Sequence, residues 1–186
     1  MSTVFIIMFS QTRRVPSLAC FASLIACVAV AADQDQQRYR VRVPGLVAIN
    51  ATSNSVSIEH DQTDSNQAFD WQSWQVVCNN TGGATVTFET DQAFTHTMQS
   101  DIRRDAFLFL STASGGGLFR RSDWQITRFA DQTDYKNGDQ TATVSAEVDR
   151  ARDGTFNLRV VFLEEQFADT VAGVYELTVT GTIVPK

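Results

Sequence analysis

Apolar and polar residues alternate along most of the chain that follows residue 37. Clear examples are "ATVTFET" at Ala84–Thr90, "TATVSAEV" at Thr141–Val148 and "VYELTVTGTIV" at Val174–Val184. A period of two places successive side chains on opposite faces of a β-strand. The valine and threonine of these segments also suit the pleated surface of a sheet. Because no window of about a dozen residues has helical periodicity, the chain is predicted to be all-β.

Two further segments extend this pattern. "RYRVRV" at Arg38–Val43 alternates and is predicted to be the first strand, whereas "FNLRVVFL" at Phe156–Leu163 is more uniformly apolar. A strand that is apolar on both faces is typical of the centre of a sheet. In the last segment one face is predicted to point inward, and it consists of Tyr175, Leu177, Val179, Gly181 and Ile183.

Asn-Gly and Asp-Gly pairs lie between several of these segments. Such pairs adopt positive φ easily and are the strongest short-range signals of a β-hairpin. We therefore expect Asn137–Gly138 to join Trp124–Phe129 to Thr141–Val148. Similarly, Asp153–Gly154 is expected to join Thr141–Val148 to Phe156–Leu163.

About nine strands at intervals of roughly 10–15 residues indicate a single antiparallel β-sandwich, either immunoglobulin-like or jelly-roll-like. The predicted sandwich domain covers residues 38–186, and the polar residues 33–37 are predicted to form a flexible N-terminal tail.

The first 32 residues have the composition of an export signal. They contain no acidic residue, carry Arg13 and Arg14, and continue into the apolar stretch Val15–Val30, which ends in small residues. This order is typical of a secretory signal peptide, and the stretch is short for a membrane span of about 20 apolar residues. We predict a signal peptide over residues 1–32, with cleavage after Ala31 or Ala32. No transmembrane span is expected after its removal.

One alternative concerns Cys27. "LIAC" at Leu24–Cys27 resembles the lipobox of bacterial lipoproteins, in which the cysteine after the cleavage point carries lipid. The residues that follow Cys27 are apolar, whereas a lipoprotein usually becomes polar at once. A secreted, periplasmic or cell-surface protein is therefore the main prediction, and a lipoprotein anchored through Cys27 is the alternative.

Removal of the leader changes the charge and the cysteine content. The remaining chain has Cys78 as its one cysteine, so it cannot form an internal disulfide. It has 13 basic residues, once Arg13 and Arg14 are gone, against 21 acidic ones, a formal net charge of −8. An acidic chain without a basic stripe disfavours nucleic-acid binding. The pairs Arg103–Arg104 and Arg120–Arg121 are predicted to lie on solvated faces.

The tetrapeptide "DQTD" occurs twice, at Asp61–Asp64 and Asp131–Asp134. The calcium loop of EF-hands does not fit either copy, because Thr63 and Lys136 stand where acidic or amide ligands are needed. Aspartate and threonine also stabilise bends by hydrogen bonds to nearby backbone. Ordinary loops are therefore predicted, and no cofactor is expected. A calcium site is the alternative if the loops meet, and its ligands would come from Asp61, Asp64, Asp70, Asp131, Asp134 and Asp139.

Catalytic constellations are scarce in the sequence. Neither His60 nor His96 has the spacing of a zinc ligand, and Cys78 ends an apolar run, where a buried, inert thiol is expected. The carboxylates of Glu164–Glu165 and Asp169 leave a hydrolase open as a third possibility, provided that two of them meet at a defined separation. The prediction is a non-enzymatic protein.

Aromatic residues in "FDWQSWQ" provide the main binding candidates. In a regular strand Phe69 and Trp71 would face one way and Trp74 the other. Trp71, with Phe69 beside it, is therefore a candidate stacking platform for sugar rings or for the surface of a partner. The other interpretation places Trp74 in the core and leaves Trp71 partly exposed at a sheet edge.

The segment "AGVYELTVTGTIVP" at Ala172–Pro185 resembles the closing strand of secreted bacterial β-sandwiches of the immunoglobulin-like and pilin-like kinds. Gly173 and Tyr175 match the tyrosine corner of immunoglobulin domains, whereas Val171 and Leu177 stand where that motif has aspartate and cysteine. The resemblance implies a fold class and transfers no functional site.

These observations together predict a non-enzymatic exported β-sandwich that acts by surface contact, as a cell-envelope, matrix, appendage or adhesion-type component. Its partner would be a protein or a glycan at the cell surface. If subunits assemble, the pairing edge is predicted to be Arg38–Val43 or Val174–Val184. The alternative is a carbohydrate-binding module that uses Trp71, in one version stabilised by calcium.

Overall fold

The computed structural model describes residues 36–113 and 123–186. The predictions for the signal peptide, Cys27, most of the N-terminal tail and Arg120–Arg121 lie outside the described residues. Within them, strands are joined by loops and by two short 3₁₀ turns, at Tyr135–Asn137 and Phe167–Asp169, and all strand pairing is antiparallel. The predicted all-β sandwich is confirmed.

Thirteen strands lie in the described residues, and eight of them have at least four residues. In chain order they are β1 (Val47–Ala51), β2 (Gln67–Ala68), β3 (Gln72–Cys78), β4 (Ala84–Thr90), β5 (Phe94–His96), β6 (Arg103–Arg104), β7 (Ala106–Thr112), β8 (Gln125–Arg128), β9 (Ala130–Gln132), β10 (Ala142–Val148), β11 (Gly154–Phe162), β12 (Tyr175–Glu176) and β13 (Thr180–Pro185).

The strands form three sheets. The six-stranded sheet has the order β1-β3-β11-β7-β9, with β2 also paired to β11. The four-stranded sheet has the order β13-β4-β10-β8, and the small three-stranded sheet has the order β12-β5-β6. The predicted central strand is confirmed, since β11 lies between β3 and β7.

The main core lies between the six-stranded and four-stranded sheets. Phe156 of β11 is fully buried there, with its ring 6.0 Å from that of Phe88 and 5.3 Å from that of Trp124. Short alanine and valine side chains of β4 and β10 complete the layer, among them Val86, Val144 and Ala146. Such close packing holds the sandwich together without a disulfide, as expected for a chain whose described cysteine, Cys78, is a buried free thiol.

The predicted inward face of Val174–Val184 is confirmed, because the alternate residues from Tyr175 to Ile183 are half-buried between exposed neighbours. The segment nevertheless contributes strands to two different sheets. Its first part, β12, pairs with β5, and its second part, β13, pairs with β4. The prediction of one continuous strand is wrong here, because alternation decides which side chains point inward and leaves the pairing partner open.

One predicted hairpin is wrong. The Asp153–Gly154 connection does not pair β10 with β11, because β10 belongs to the four-stranded sheet and β11 to the six-stranded one. The chain therefore crosses from one layer to the other at this point. Gly154 is needed beside Trp124, since a Cβ atom there would lie 2.6 Å from the indole Nε1 atom.

For the other predicted hairpin, at Asn137–Gly138, the pairing of the two strands is correct, but the connection between them is not a hairpin loop. β8 and β10 are antiparallel neighbours, and Gly138 adopts the expected positive φ of 87°. Between them, however, the chain enters the six-stranded sheet as β9, which pairs with β7. The connection is therefore longer than a hairpin loop.

The predicted first strand, Arg38–Val43, is not formed, and its apolar residues Tyr39, Val41 and Val43 are exposed. The described residues 36–41 belong to a different unit from Arg42–Lys186. Within the first unit, Tyr39 Oη donates a hydrogen bond to Gln37 Oε1 at 3.0 Å. Alternation alone does not make a strand, because a strand also needs a partner for its backbone hydrogen bonds.

Candidate functional site

The two large sheets have different outer faces. On the four-stranded sheet the outward residues of paired strands are mostly threonine, serine and glutamate, for example Thr182, Thr87 and Ser145 in one row. A polar outer face is usual for an antiparallel sheet that is solvated on one side. The outer face of the six-stranded sheet departs from this rule and is the candidate functional site.

The strand register places apolar residues together on that outer face. Val161 of β11 pairs with Phe107 of β7 and with Ala68 of β2, and Arg159 pairs with Phe109 in the adjacent outward row. Residues paired across an antiparallel ladder share a face of the sheet. The long strands β7 and β11 therefore present a block of apolar side chains with one arginine.

Trp71 and Phe129 extend this block. The Trp71 ring lies edge-to-face with Phe109 at a centroid distance of 5.6 Å, and Phe109 contacts Phe129 in the same way at 6.0 Å. The guanidinium carbon of Arg159 is 5.6 Å from the Trp71 ring centroid, within the range of a cation–π interaction. A hollow of ≈ 400 Å³, called the aromatic hollow below, is lined by Ala68, Trp71, Phe107, Phe109, Arg159 and Val161.

Two aromatic side chains of this face are open to solvent. Trp71 is 43% exposed and Phe129, at the border of the hollow, is 64% exposed. A polar row borders the hollow along the strands, because Asn157 of β11 pairs with Ser73 on one side and Ser111 on the other. The site therefore combines an exposed indole with hydroxyl and amide groups.

Arg159 lacks a carboxylate partner among the described residues. Its Nε atom donates a hydrogen bond to the carbonyl of Phe69 at 3.3 Å, and its guanidinium group faces the Trp71 ring. Four other arginines of the described residues face a carboxylate; Arg128, for example, binds Asp131 at 2.6 Å. The hollow thus carries a positive charge that no described acidic residue offsets.

The structure does not bring the two sequence-predicted ligand residues together. Trp71 lies on the aromatic hollow, whereas Phe69 packs in a second apolar cluster and stacks on Phe94 at 6.0 Å. The prediction that both face the same way is wrong, because residues 69–71 lie between β2 and β3 and do not follow one regular strand. Trp74 packs on Phe88 in the main core, as the second interpretation predicted.

Sequence reasoning missed most of the hollow, including Phe107, Phe109 and Arg159. A signal was present in "AFLFLST" at Ala106–Thr112, where apolar residues occupy both faces of the strand. That pattern predicts a strand covered on both sides. In the structure the described residues cover one side, and the outward phenylalanines are half-buried.

The aspartates of the first "DQTD" loop accept hydrogen bonds from the loop itself and from a residue of another segment. Asp61 Oδ1 accepts hydrogen bonds from the backbone and hydroxyl of Thr63, at 3.0 and 2.7 Å. These bonds lower the pKa of the Asp61 carboxyl below its usual 3.8. Asp64 accepts a bond from the backbone of Phe167 at 2.8 Å.

The second loop is organised in the same local way. Asp134 accepts a bond from Asn137 Nδ2 at 2.7 Å, Asp139 accepts one from the backbone of Thr141, and Asp131 is paired with Arg128. In the ranges 36–113 and 123–186, no group of three or more His, Cys, Asp or Glu residues could hold a metal ion. The structure therefore does not bring the six candidate aspartates together.

A buried charge cluster lies elsewhere in the fold. The Glu164 side chain is fully buried, 3.6 Å from Arg104 Nε and 3.3 Å from His60 Nε2, and it accepts a bond from the Thr170 hydroxyl at 2.7 Å. The prediction that Arg103–Arg104 is a solvated face is wrong, because both arginines are half-buried and Arg104 faces this carboxylate.

A cleft of ≈ 920 Å³ lies beside this cluster. It separates the inner face of β11 from residues 53–60 and 170–179, and His60 and Thr170 line it. Its walls mix polar residues with apolar ones, among them Trp74, Phe94 and Leu158. Since Trp74 and Leu158 also belong to the main core or pack against it, the cleft is a partly open end of the sandwich interior.

The candidate catalytic residues are dispersed in the described structure. Glu165 is exposed and pairs with Lys136, whereas the adjacent Glu164 is buried beside Arg104. Cys78 belongs to β3 and the main core, and His96 to β5 of the small sheet.

The Tyr175 hydroxyl donates a hydrogen bond to the carbonyl of Val171, four residues earlier, at 2.9 Å. A bond from a tyrosine back to the preceding backbone is also a feature of the tyrosine corner. The resemblance to immunoglobulin-like domains itself stays a prediction.

Tyr175 is expected to make stability sensitive to alkaline pH. Burial raises the pKa of its phenol above the usual 10.0, with nearby Arg104 acting in the opposite direction. Folding thus favours the protonated phenol. The protonated phenol contributes fully to the stability of the fold below the unfolded-state pKa of Tyr175, and this contribution is lost as pH rises through the folded-state pKa. We expect the urea midpoint to fall between about pH 9 and about pH 11 by less in Tyr175→Phe than in the parent protein. Identical slopes in the two proteins would contradict this assignment.

Comparison with known proteins adds no relative: the chain matches no protein-family model, and no curated protein matches it. In the part of the chain that the structure describes, no helix has the length and apolar character to span a membrane.

Proposed function

We propose that this chain is a non-enzymatic exported β-sandwich that acts by surface contact, as a cell-envelope, matrix, appendage or adhesion-type component. The aromatic hollow on the outer face of the six-stranded sheet is its contact surface. One observation carries the proposal: Trp71 exposes 43% of its surface on a sheet face where Phe107, Phe109 and Val161 stand in place of polar residues.

The physical reason is the cost of leaving such a face in water. Exposed apolar patches bordered by polar groups are typical of interaction sites, and tryptophan is enriched among the residues that dominate binding energy. Phe109 contacts the indole from β7, a long strand that is paired on both sides. The contact surface is therefore held rigidly, which limits the entropy lost on binding.

A second candidate function is a carbohydrate-binding module. The observation that favours it is the small size of the hollow, in which Trp71 lies near the polar row of Ser73, Asn157 and Ser111. An exposed ring supplies a stacking surface, and hydroxyl or amide groups supply hydrogen bonds. Calcium is not needed for this arrangement.

The proposal also includes self-association through an edge strand, with one candidate edge in place of two. Arg38–Val43 is not a strand, so the candidate edge is β13, which lies at one edge of the four-stranded sheet. An unpaired edge offers backbone donors and acceptors to another chain. The exposed Val184 lies on this strand.

Trp71→Ala is expected to weaken binding to isolated envelope material of the producing organism by about tenfold or more, because truncation removes a central indole from the contact. Binding would be measured by sedimentation of the labelled protein with that material. Met98→Ala is the matched control, since Met98 is an exposed apolar residue between β5 and β6 and does not line the hollow. Thermal unfolding should confirm that both variants fold. Equal binding by Trp71→Ala and the parent protein would refute the proposed contact surface.

A further inference from the structure

We propose that the aromatic hollow binds an acidic sugar, a uronic acid residue of a polysaccharide, with its ring on Trp71 and its carboxylate on Arg159. This inference rests on the proposed surface-contact function and names the ligand class. Three properties of the hollow support it: its footprint, its aromatic surface and its unpaired charge.

The footprint of the hollow suits a sugar better than a protein. Six residues line it, and its volume is ≈ 400 Å³. A standard protein–protein interface uses about 20–30 residues on each side. Pockets for small ligands, by contrast, have volumes of about 300–1,000 Å³. The hollow therefore has room for one sugar unit of a chain that continues across the surface.

The aromatic surface suits the apolar face of a pyranose. The face of an aromatic ring is negative and its edge positive, so it attracts the weakly positive C–H groups on one side of a sugar ring. Trp71 has the exposed area for such stacking, and its contact with Phe109 fixes the ring. The neighbouring Asn157 and Ser111 can hydrogen-bond the sugar hydroxyls at the rim of the hollow.

The charge of Arg159 selects an acidic sugar over a neutral one. A guanidinium group binds a carboxylate through two parallel hydrogen bonds. The Nε atom of Arg159 is taken by the Phe69 carbonyl, and the terminal nitrogens have no hydrogen-bond partner among the described residues. A carboxylate on the sugar would give these terminal nitrogens a partner.

The net charge of the protein opposes the approach of an acidic polysaccharide. The chain after the leader has a formal charge of −8, which repels a polyanion at long range. At physiological ionic strength this repulsion is screened beyond about 8 Å. Short-range contact with Arg159 and Trp71 therefore decides binding, and general adsorption of acidic polymers is disfavoured.

The test measures, by calorimetry on the exported protein, its affinity for short oligogalacturonates and oligomannuronates and for the same oligomers with their carboxyl groups reduced. We expect at least one acidic oligomer to bind about tenfold or more tighter than its neutral counterpart. Arg159→Gln should remove that preference, so that the acidic and neutral oligomers bind with similar affinity. Trp71→Ala should weaken binding of both forms.

Two further variants sharpen the result. Arg159→Lys keeps the charge but loses the planar fork, so it should retain only part of the preference. Arg103→Gln is the matched control, because Arg103 also lacks a carboxylate partner among the described residues and lies outside the hollow. Arg103→Gln should bind like the parent protein.

Several outcomes would overturn the inference. These are equal affinity for acidic and neutral oligomers, an acidic preference that survives in Arg159→Gln, and no binding of any acidic oligomer. Binding of polyglutamate in place of the sugars would show that the hollow recognises an acidic peptide. Each of these outcomes leaves the surface-contact function standing, since that function is judged by Trp71→Ala on envelope material.

Discussion

Replacing Arg104 with alanine is expected to lower the free energy of unfolding by about 3–5 kcal/mol, because it leaves a buried carboxylate without its main counter-charge. The Glu164 side chain is inaccessible to solvent, and Arg104 lies 3.6 Å away with 15% of its side chain exposed. Arg104 also donates hydrogen bonds to Thr170 Oγ1 and to the carbonyl of Asp169. The substitution thus removes an ion pair and disconnects β6 from the 3₁₀ turn at Phe167–Asp169.

Urea denaturation of Arg104→Ala, Glu164→Gln and the double variant would measure this coupling. Glu164→Gln replaces the charge with a neutral group of the same shape, so the double variant should lose less than the two single losses added together. Simple additivity, or a loss below about 1 kcal/mol in Arg104→Ala, would show that water or another group compensates Glu164.

Phe156→Ala is expected to cost about 3–5 kcal/mol of unfolding free energy, the usual range for removal of a buried aromatic ring. Phe156 has no solvent-exposed surface, and its ring contacts those of Phe88 and Trp124. It lies on the central strand β11 and faces the four-stranded sheet. Its loss opens a cavity where the two layers meet, and the packed neighbours can fill it only in part.

Phe129→Ala is the matched control for this prediction. Phe129 is 64% exposed and lies at the border of the aromatic hollow, so the same change should cost less than about 1 kcal/mol. Both variants would be compared by urea denaturation. Similar losses in the two variants would mean that the main core is not centred on Phe156.

Different faces of the sandwich carry the residues that stabilise the fold and the residues proposed to bind a ligand. Its inner faces carry the aromatic and aliphatic core, and one of its outer faces carries Trp71 and Arg159. The central strand β11 contributes to both, since Phe156 points inward and Arg159 outward. A change on the outer face can therefore alter binding while the core stays intact, and this makes the Trp71 and Arg159 variants informative.

Several local features were predictable because they depend on neighbours in sequence. Alternation along Val174–Val184 gave the correct inward residues, and the short polar loops keep Asp61 and Asp134 in hydrogen bonds with their own segments. The exposed position of Trp71 was also one of the two interpretations of its motif. Its pairing with Phe69 was wrong, because the strand is interrupted between β2 and β3.

Local sequence alone thus determined the all-β class of this protein, the inward and outward sides of its main strands and the character of its loops. Tertiary structure decided which strands are neighbours, the crossing at Asp153–Gly154, the burial of Glu164 beside Arg104 and the assembly of the aromatic hollow. The physical reason is range: side-chain direction follows from the backbone period, whereas strand pairing and the meeting of Trp71, Phe109 and Arg159 depend on contacts between residues far apart in the chain.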